Sequence, residues 1–378
     1  MTIYLLWVGL VIFLAPVAFH RIKFMDLTVD GKALYAGITF LTLFAIMALR
    51  DYTVGIDTVN YATNVFPYAA SRSSVEDVLD DWNLSKAPVY WVVLYFASYI
   101  SDDPQMYIFC VSFAIVSGLL WFLYRASDNL PLSIFLFWGL SLMSFSMSGA
   151  RQYCSVVLAL NAFLFLYKDV KSIKGWGLFI ASIFVHVTSI IFILPIIGIL
   201  LSKRIKNIWR LCLFILLGCL CVVGGIKAIT EIFLQWFPQY DMYFDPRFAY
   251  NILTGYTNSP TRPSMTNLSL IVCLFLYLFA VWHKKIRYSE TITYAIFPGA
   301  LLYGIIGFLT YESVDWWRIL LSLESLYMVF IPNMIMLFRP YTRKILYFVI
   351  YTGVTITVIF KLQAGGFDWG TIPYQFFF

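Results

Sequence analysis

Four short clusters in a strongly apolar chain bring together residue types able to move a proton or hold an anion. The first is Arg50-Asp51-Tyr52-Thr53-Val54-Gly55-Ile56-Asp57-Thr58-Val59-Asn60-Tyr61, just past the second apolar run. Transfer of a sugar from a phosphate leaving group needs a carboxylate beside the acceptor hydroxyl and a cation beside the departing phosphate. Asp57 and Arg50 supply both within one loop. The same residues also read as an arginine snorkelling to the interface, a turn at Gly55, and an Asp57 or Thr58 helix cap. The second cluster is Ser148-Gly149-Ala150-Arg151-Gln152-Tyr153, at the start of an apolar helix. Arg151 is either an interfacial anchor or, at a helix N-terminus that itself favours anions, a phosphate contact.

The third cluster is Phe184-Val185-His186-Val187-Thr188-Ser189, which holds the one histidine deep inside an apolar run; His20 and His283 sit at joints. A histidine in lipid needs a polar partner, and its chemistry suits packing, proton transfer or phosphate binding. The fourth is Glu312-Ser313-Val314-Asp315-Trp316-Trp317-Arg318, with Glu324 farther along. Six residues turn a helix by about 600°, or roughly 240° net. Arg318 and Glu324 therefore face different ways, and a basic residue on a neighbouring helix is the expected partner of Glu324.

The elements that must position these clusters are membrane helices. The 378 residues are 61% hydrophobic and 12% charged, with a mean hydropathy of +0.81, too apolar for one soluble core. Twelve apolar segments are marked by the sequence. They are Thr2 to Phe19, Ala33 to Leu49, Pro88 to Ile100, Met106 to Leu123, Leu132 to Met147, and Tyr153 to Tyr167. The others are Trp176 to Leu201, Ile208 to Val223, Leu268 to Trp282, Ile292 to Thr310, Ile319 to Phe338, and Ile345 to Phe360. The fold class that follows is all-α: a polytopic transmembrane helix bundle of about 10–12 segments. The expected organisation is a single integral domain, 1–378, with long outer loops at 51–87, carrying a juxtamembrane helix, and at 224–266.

The first run lacks a preceding basic region and a small-residue cleavage site, so it reads as a span rather than a signal peptide. The six cysteines all lie in apolar runs and read as small buried hydrophobes, with neither disulfide nor zinc spacing. Neither a metal cluster nor a nucleotide loop is recognisable, so the expectation is no metal and no cofactor. The formal charge of +6 is spread over joints between spans, which argues against nucleic acid as a partner. Trp and Tyr gather near the ends of the runs as interfacial anchors.

Two segments depart from the pattern. Pro88 to Ile100 is short for a span, and Trp176 to Leu201 is interrupted by His186, Thr188 and Ser189 and carries Pro195. If both dip in and return, ten spans remain and the inner joints hold a clearer majority of Lys and Arg than if all twelve cross. That topology puts both termini outside, with Arg50, Asp57, Arg151 and Arg318 on one outer face. The sequence shows no internal repeat and no matching pair of broken helices, which weakens an inverted-repeat transporter reading.

Arg50, Gly55-Ile56-Asp57-Thr58 and Tyr61, then Arg151-Gln152, then His186, resemble in order and spacing the EpsG family of Wzy-type polysaccharide polymerases. Arg318 before an apolar helix and the late Pro373-Tyr374 are similar to the family's pattern too. Where relatives often read Glu-x-Gly-Tyr after the first outer loop, this chain reads Lys86-Ala87-Pro88-Val89-Tyr90. The tyrosine stands at Tyr90, and the glutamate is absent.

The resemblance implies an enzyme of the bacterial inner membrane with a GT-C-like helical fold and an active site facing the periplasm or exterior. Donor and acceptor would be glycans on undecaprenyl pyrophosphate, extended as O-antigen, capsule or exopolysaccharide, with membrane lipid and a chain-length regulator as partners. It assigns Arg50, Arg151, Gln152, Arg318, Thr58 and Tyr61 to the substrate and its pyrophosphate, and Asp57 and His186 to proton transfer. Trp236, Tyr240, Tyr243, Tyr250 and Tyr256 in the second loop are candidates for stacking on sugars or for anchoring. Two rival expectations are a lipid-linked oligosaccharide flippase or transporter, and a membrane acyltransferase acting on glycans.

Overall fold

The computed structural model describes residues 2–24, 27–80, 87–224, 231–232, 234–235, 265–284, 291–309, 320–363 and 369–378. In lipid every backbone donor and acceptor must be satisfied within its own segment, so the apolar runs become helices. The chain divides into two compact units, Met1–Ile190 with Val354–Phe378, and Ile191–Gly353.

The first unit opens with α1 (Thr2–Phe13), which tightens into a 3-10 turn, Ala15–Phe19, with Pro16 in its first turn. A short antiparallel hairpin of Arg21–Phe24 and Leu27–Asp30 follows, with Arg21 paired opposite Asp30. Asp30 then caps α2 (Gly31–Ala48), its carboxylate accepting from the Lys32 N–H at 3.1 Å. Beyond the loop at 49–57, α3 (Thr58–Asn60), a π turn (Tyr61–Val65) and α4 (Phe66–Ala70) form one continuous helical run. After it come α5 (Val75–Asp80), α6 (Pro88–Ser98) and α7 (Pro104–Ala126). The unit continues with α8 (Leu130–Gly139), α9 (Leu142–Ser148), α10 (Ala150–Lys168) and α11 (Ile173–Val185).

Helix α7 is the centre of this unit, packing against α2 on one side and α10 on the other. The α7–α10 contact is close because Gly118 leaves room: a Cβ there would meet Val157 Cγ1 at 2.2 Å. Asn161 then ties the two helices, donating to the Gly118 carbonyl at 2.9 Å and to the Val157 carbonyl at 2.8 Å. Small residues with interhelical hydrogen bonds are how helices associate where lipid is as apolar as leucine.

The second unit holds α12 (Ile193–Arg204), α13 (Ile208–Gly224), α14 (Met265–Lys284), α15 (Ile292–Leu309) and α16 (Tyr327–Ile335). Helix α17 (Pro340–Gln363) carries the chain from the second unit back into the first. Here α12 and α15 interlock through proline and glycine, with Gly198 against Pro298 and Gly299 against Pro195. Glu324, for which a basic partner was expected, is buried and hydrogen-bonded to the Tyr303 hydroxyl on α15.

Among the described residues six helices are long and apolar enough to cross a membrane, or seven if a bent pair is one span. Shorter apolar helices, α6 and α11 among them, complete a polytopic helical bundle. The two irregular segments read from the sequence are irregular: α6 has 11 residues, and the second breaks at His186 into a 3-10 stretch, Val187–Phe192. The apolar segment Leu132 to Met147 is not one continuous helix. It is broken between α8 and α9 with a bend of 61°, and Ser141 takes the left-handed conformation, φ 65°.

Candidate functional site

The loop at 49–58 is held from the far end of the chain. Residues 369–377 run antiparallel to it: the Phe377 N–H donates to the Leu49 carbonyl (3.2 Å) and Asp51 to Gln375 (2.9 Å). Gly55 donates to Gly370 (2.8 Å) and Ile56 to Trp369 (3.0 Å). Gly55 has φ +106°, and a Cβ on it would lie 2.6 Å from Thr58 Oγ1 and 3.1 Å from Ser148 Cα, so only glycine fits this crossing. Two tyrosines fasten the tail: Tyr374 donates to the Ile46 carbonyl at 2.7 Å and Tyr4 to the Thr371 carbonyl at 3.0 Å.

Arg50 is fully buried. Its Nη1 donates to the Met47 carbonyl and, at 3.2 Å, to Ser112 Oγ on α7; its Nη2 donates to the Met147 carbonyl at 3.1 Å. Met47 and Met147 sit in the last turns of α2 and α9, where carbonyls lack helical partners and the helix dipole is negative. One guanidinium therefore closes two helix ends. Burial lowers its pKa to about 10, which leaves it protonated at neutral pH. Thr58, also fully buried, donates to the same Met147 carbonyl at 2.8 Å. Arg50 and Thr58, expected as pyrophosphate and substrate contacts, bond to the framework through Nη1, Nη2 and the Thr58 hydroxyl, while the buried Arg50 Nε has no hydrogen-bond partner among the described residues.

Asp57 is different. Its backbone N–H donates to Ser148 Oγ at 3.3 Å, which joins the first two clusters. Its half-buried carboxylate makes no capping bond, and no hydrogen bond or ion pair to it is found among the described residues. An uncommitted carboxylate beside a helix start is placed to accept a proton or orient a hydroxyl.

One turn farther along, Tyr61 faces Arg151: the guanidinium carbon lies 5.6 Å from the Tyr61 ring centre and 5.8 Å from that of Tyr90. Tyr61 stacks on Tyr107 at 5.9 Å and meets Tyr90 edge-on at 6.1 Å. The arginine thus lies against two aromatic faces, contacts that help to orient its planar donor fork. Tyr90, at the start of α6, is part of this wall, so the position read from Lys86-Ala87-Pro88-Val89-Tyr90 contributes an aromatic face. Gln152 is buried on α10 beside Arg151.

Helices α10 and α11 pack along each other as an antiparallel hairpin, so the start of α10 and the end of α11 lie at one end. Matching residues outward from the turn puts His186 level with Ser155, about 6 Å below Arg151 along the axis. At the C-cap of α11, His186 Nδ1 is 2.7 Å from Thr188 Oγ1. Asp57, Tyr61, Arg151, Tyr90 and His186 are therefore gathered at one end of the first unit. Arg318 and the loop aromatics Trp236, Tyr240, Tyr243, Tyr250 and Tyr256 lie outside the described residues.

The sequence reading overlooked Ser112, Gln105 and the tail as framework. Gln105 Nε2 donates to the Ala48 carbonyl at 2.5 Å and the Arg50 carbonyl at 3.2 Å, closing the same α2 end. A polar Ser112 within an apolar helix was the available signal.

The family model described as the EpsG family matches residues 33–376, which takes in the loop at 49–58, both arginine sites, His186 and the tail down to Phe376. No curated protein and no solved structure matches the chain. With that match running over nearly the whole length of a polytopic helical membrane protein, the chain belongs to the EpsG family.

Proposed function

We propose that this protein is a polysaccharide polymerase that joins oligosaccharide repeat units carried on undecaprenyl pyrophosphate, at the outer face of a bacterial inner membrane. The observation that carries the reading is that an uncommitted carboxylate, Asp57, stands one helical turn before Tyr61, the ring against which the Arg151 guanidinium lies. Family membership and the membrane architecture support it.

Glycosyl transfer breaks the bond between the donor's anomeric carbon and a pyrophosphate oxygen and forms a bond from that carbon to the acceptor oxygen. The pyrophosphate leaves with the bonding pair, and the acceptor hydroxyl loses its proton. Arg151 stabilises the charge on the departing pyrophosphate, its fork matching two phosphate oxygens. Asp57 takes the acceptor proton; His186, anchored by Thr188, is the second group able to do so. Arg50, Thr58 and Gln105 hold the loop and helix ends that present them. Tyr61 and Tyr90 offer aromatic faces to a sugar, and the helices let the lipid tails approach from the side.

The test is a surface-glycan gel from cells lacking the gene. Collapse of the ladder to single repeat units that still reach the surface supports polymerisation. Precursors stranded inside favour a flippase, and an intact ladder with altered acylation favours an acyltransferase; either defeats the proposal.

A further inference from the structure

The joint between α12 and α13, in the second unit, is chemically unlike the rest of that unit. Lys203, Arg204, Lys206 and Arg210 fall within eight positions and all are exposed. None of the four makes an ion pair among the described residues. Arg204, Lys206 and Arg210 line a cavity of about 610 Å³ whose remaining wall includes Leu213, Phe214 and Leu217.

The cavity is built rather than incidental. The Ile205 carbonyl accepts from the Tyr294 hydroxyl on α15 at 2.6 Å, which pins the joint to a neighbouring helix. Asn207 caps α13, its Oδ1 accepting from the Trp209 N–H at 2.9 Å. Arg210, Leu213, Phe214 and Leu217 then follow at helical spacing, forming one stripe that begins with a cation and continues apolar. That stripe runs for about 10 Å. Leu213, Phe214 and Leu217 are 57%, 60% and 53% exposed, so the stripe faces outward. The 18-residue apolar stretch Val187–Arg204 ends at this joint, which sets the basic cluster at a membrane interface with the stripe in the acyl region.

We propose that this joint is a binding site for an anionic membrane phospholipid. Arg204, Lys206 and Arg210 hold the phosphate, and an acyl chain lies along Leu213, Phe214 and Leu217. Charge complementarity selects the occupant: three uncompensated cations over an apolar stripe match a negative headgroup on a hydrocarbon tail, whereas free phosphate would leave the stripe unused. The charge bias of the joints assigns this end to the inner leaflet. The site is independent of the glycosyl-transfer reading, since it lies in the second unit and uses none of the residues invoked there.

The experiment uses the full-length protein in detergent micelles doped with phosphatidylglycerol, with phosphatidylcholine of the same acyl chains, or with inorganic phosphate alone. Native mass spectrometry counts retained lipid. Phosphatidylglycerol is retained and phosphatidylcholine is not, and the variant R204Q/K206Q/R210Q binds phosphatidylglycerol about tenfold more weakly or worse. A control variant, K168Q/K171Q/K174Q, binds as wild type. Should the first variant fail to fold, a photoreactive phosphatidylglycerol on the wild-type protein labels the peptide spanning 204–217. Equal retention of both lipids, stabilisation by phosphate alone, unchanged binding by the first variant, or labelling confined to other peptides would overturn the assignment.

Discussion

Asp57 shows how a residue's role follows from what its side chain leaves unused among the described residues. Arg50 and Arg151 look alike in sequence, each a lone arginine at the end of an apolar run. Arg50 has its Nη donors committed to two helix ends and a serine, while Arg151 lies half-buried against two tyrosine rings. Replacing Asp57 with Asn keeps the size and removes the proton acceptor. Chain elongation by D57N should fall by about 100-fold or more, with normal protein in the membrane. Near-normal elongation by D57N would remove Asp57 as the base and count against the account. R151K keeps the charge but loses the planar fork, and elongation should drop by about tenfold, with R151A lower still. R50K should act otherwise, because an ammonium cannot bridge both helix ends. Each stranded carbonyl costs about 1–3 kcal/mol, so the prediction is a lower melting temperature and less monodisperse protein in detergent.

At the scale of elements, the decisive feature is a junction of the α2 end, the α9 end, the loop at 49–58 and the C-terminal tail. G55A puts a side chain at φ +106° and within 2.6 Å of Thr58 Oγ1, so it should destabilise by about 1–3 kcal/mol, read as a lower melting temperature. S141G should do the reverse. Ser141 holds φ 65° with a buried hydroxyl that has no hydrogen-bond partner among the described residues, and glycine removes both costs, raising stability by up to about 1 kcal/mol.

The helices of this junction were legible in sequence because lipid enforces long apolar runs: Ala33 to Leu49 is α2 to within a few residues. The Arg50, Asp57, Arg151 and His186 positions were legible as polar types at run ends. Which arginine would be buried was not, since that depends on Met147, whose carbonyl is aimed at Arg50 by a bend at Ser141 with no proline to announce it. Nor was the tail clamp, because its bonds are backbone to backbone across more than 300 positions and leave no side-chain pattern.

For the molecule as a whole, the membrane architecture and the family are established, and the central claim is that the first unit carries out glycosyl transfer. Each unit has its own packing logic, tyrosines and serines around α7 in one, proline and glycine interlocks between α12 and α15 in the other. The most direct measurement is elongation by the purified protein in detergent, supplied only with the undecaprenyl-pyrophosphate-linked repeat unit. With no membrane to cross, a transporter has nothing to do, and with no acyl donor an acyltransferase is idle. Wild-type protein should convert single units into a ladder of two and more with release of undecaprenyl pyrophosphate, and D57N should leave them single. Single units throughout with folded wild-type protein, or an equal ladder from D57N, would contradict the account.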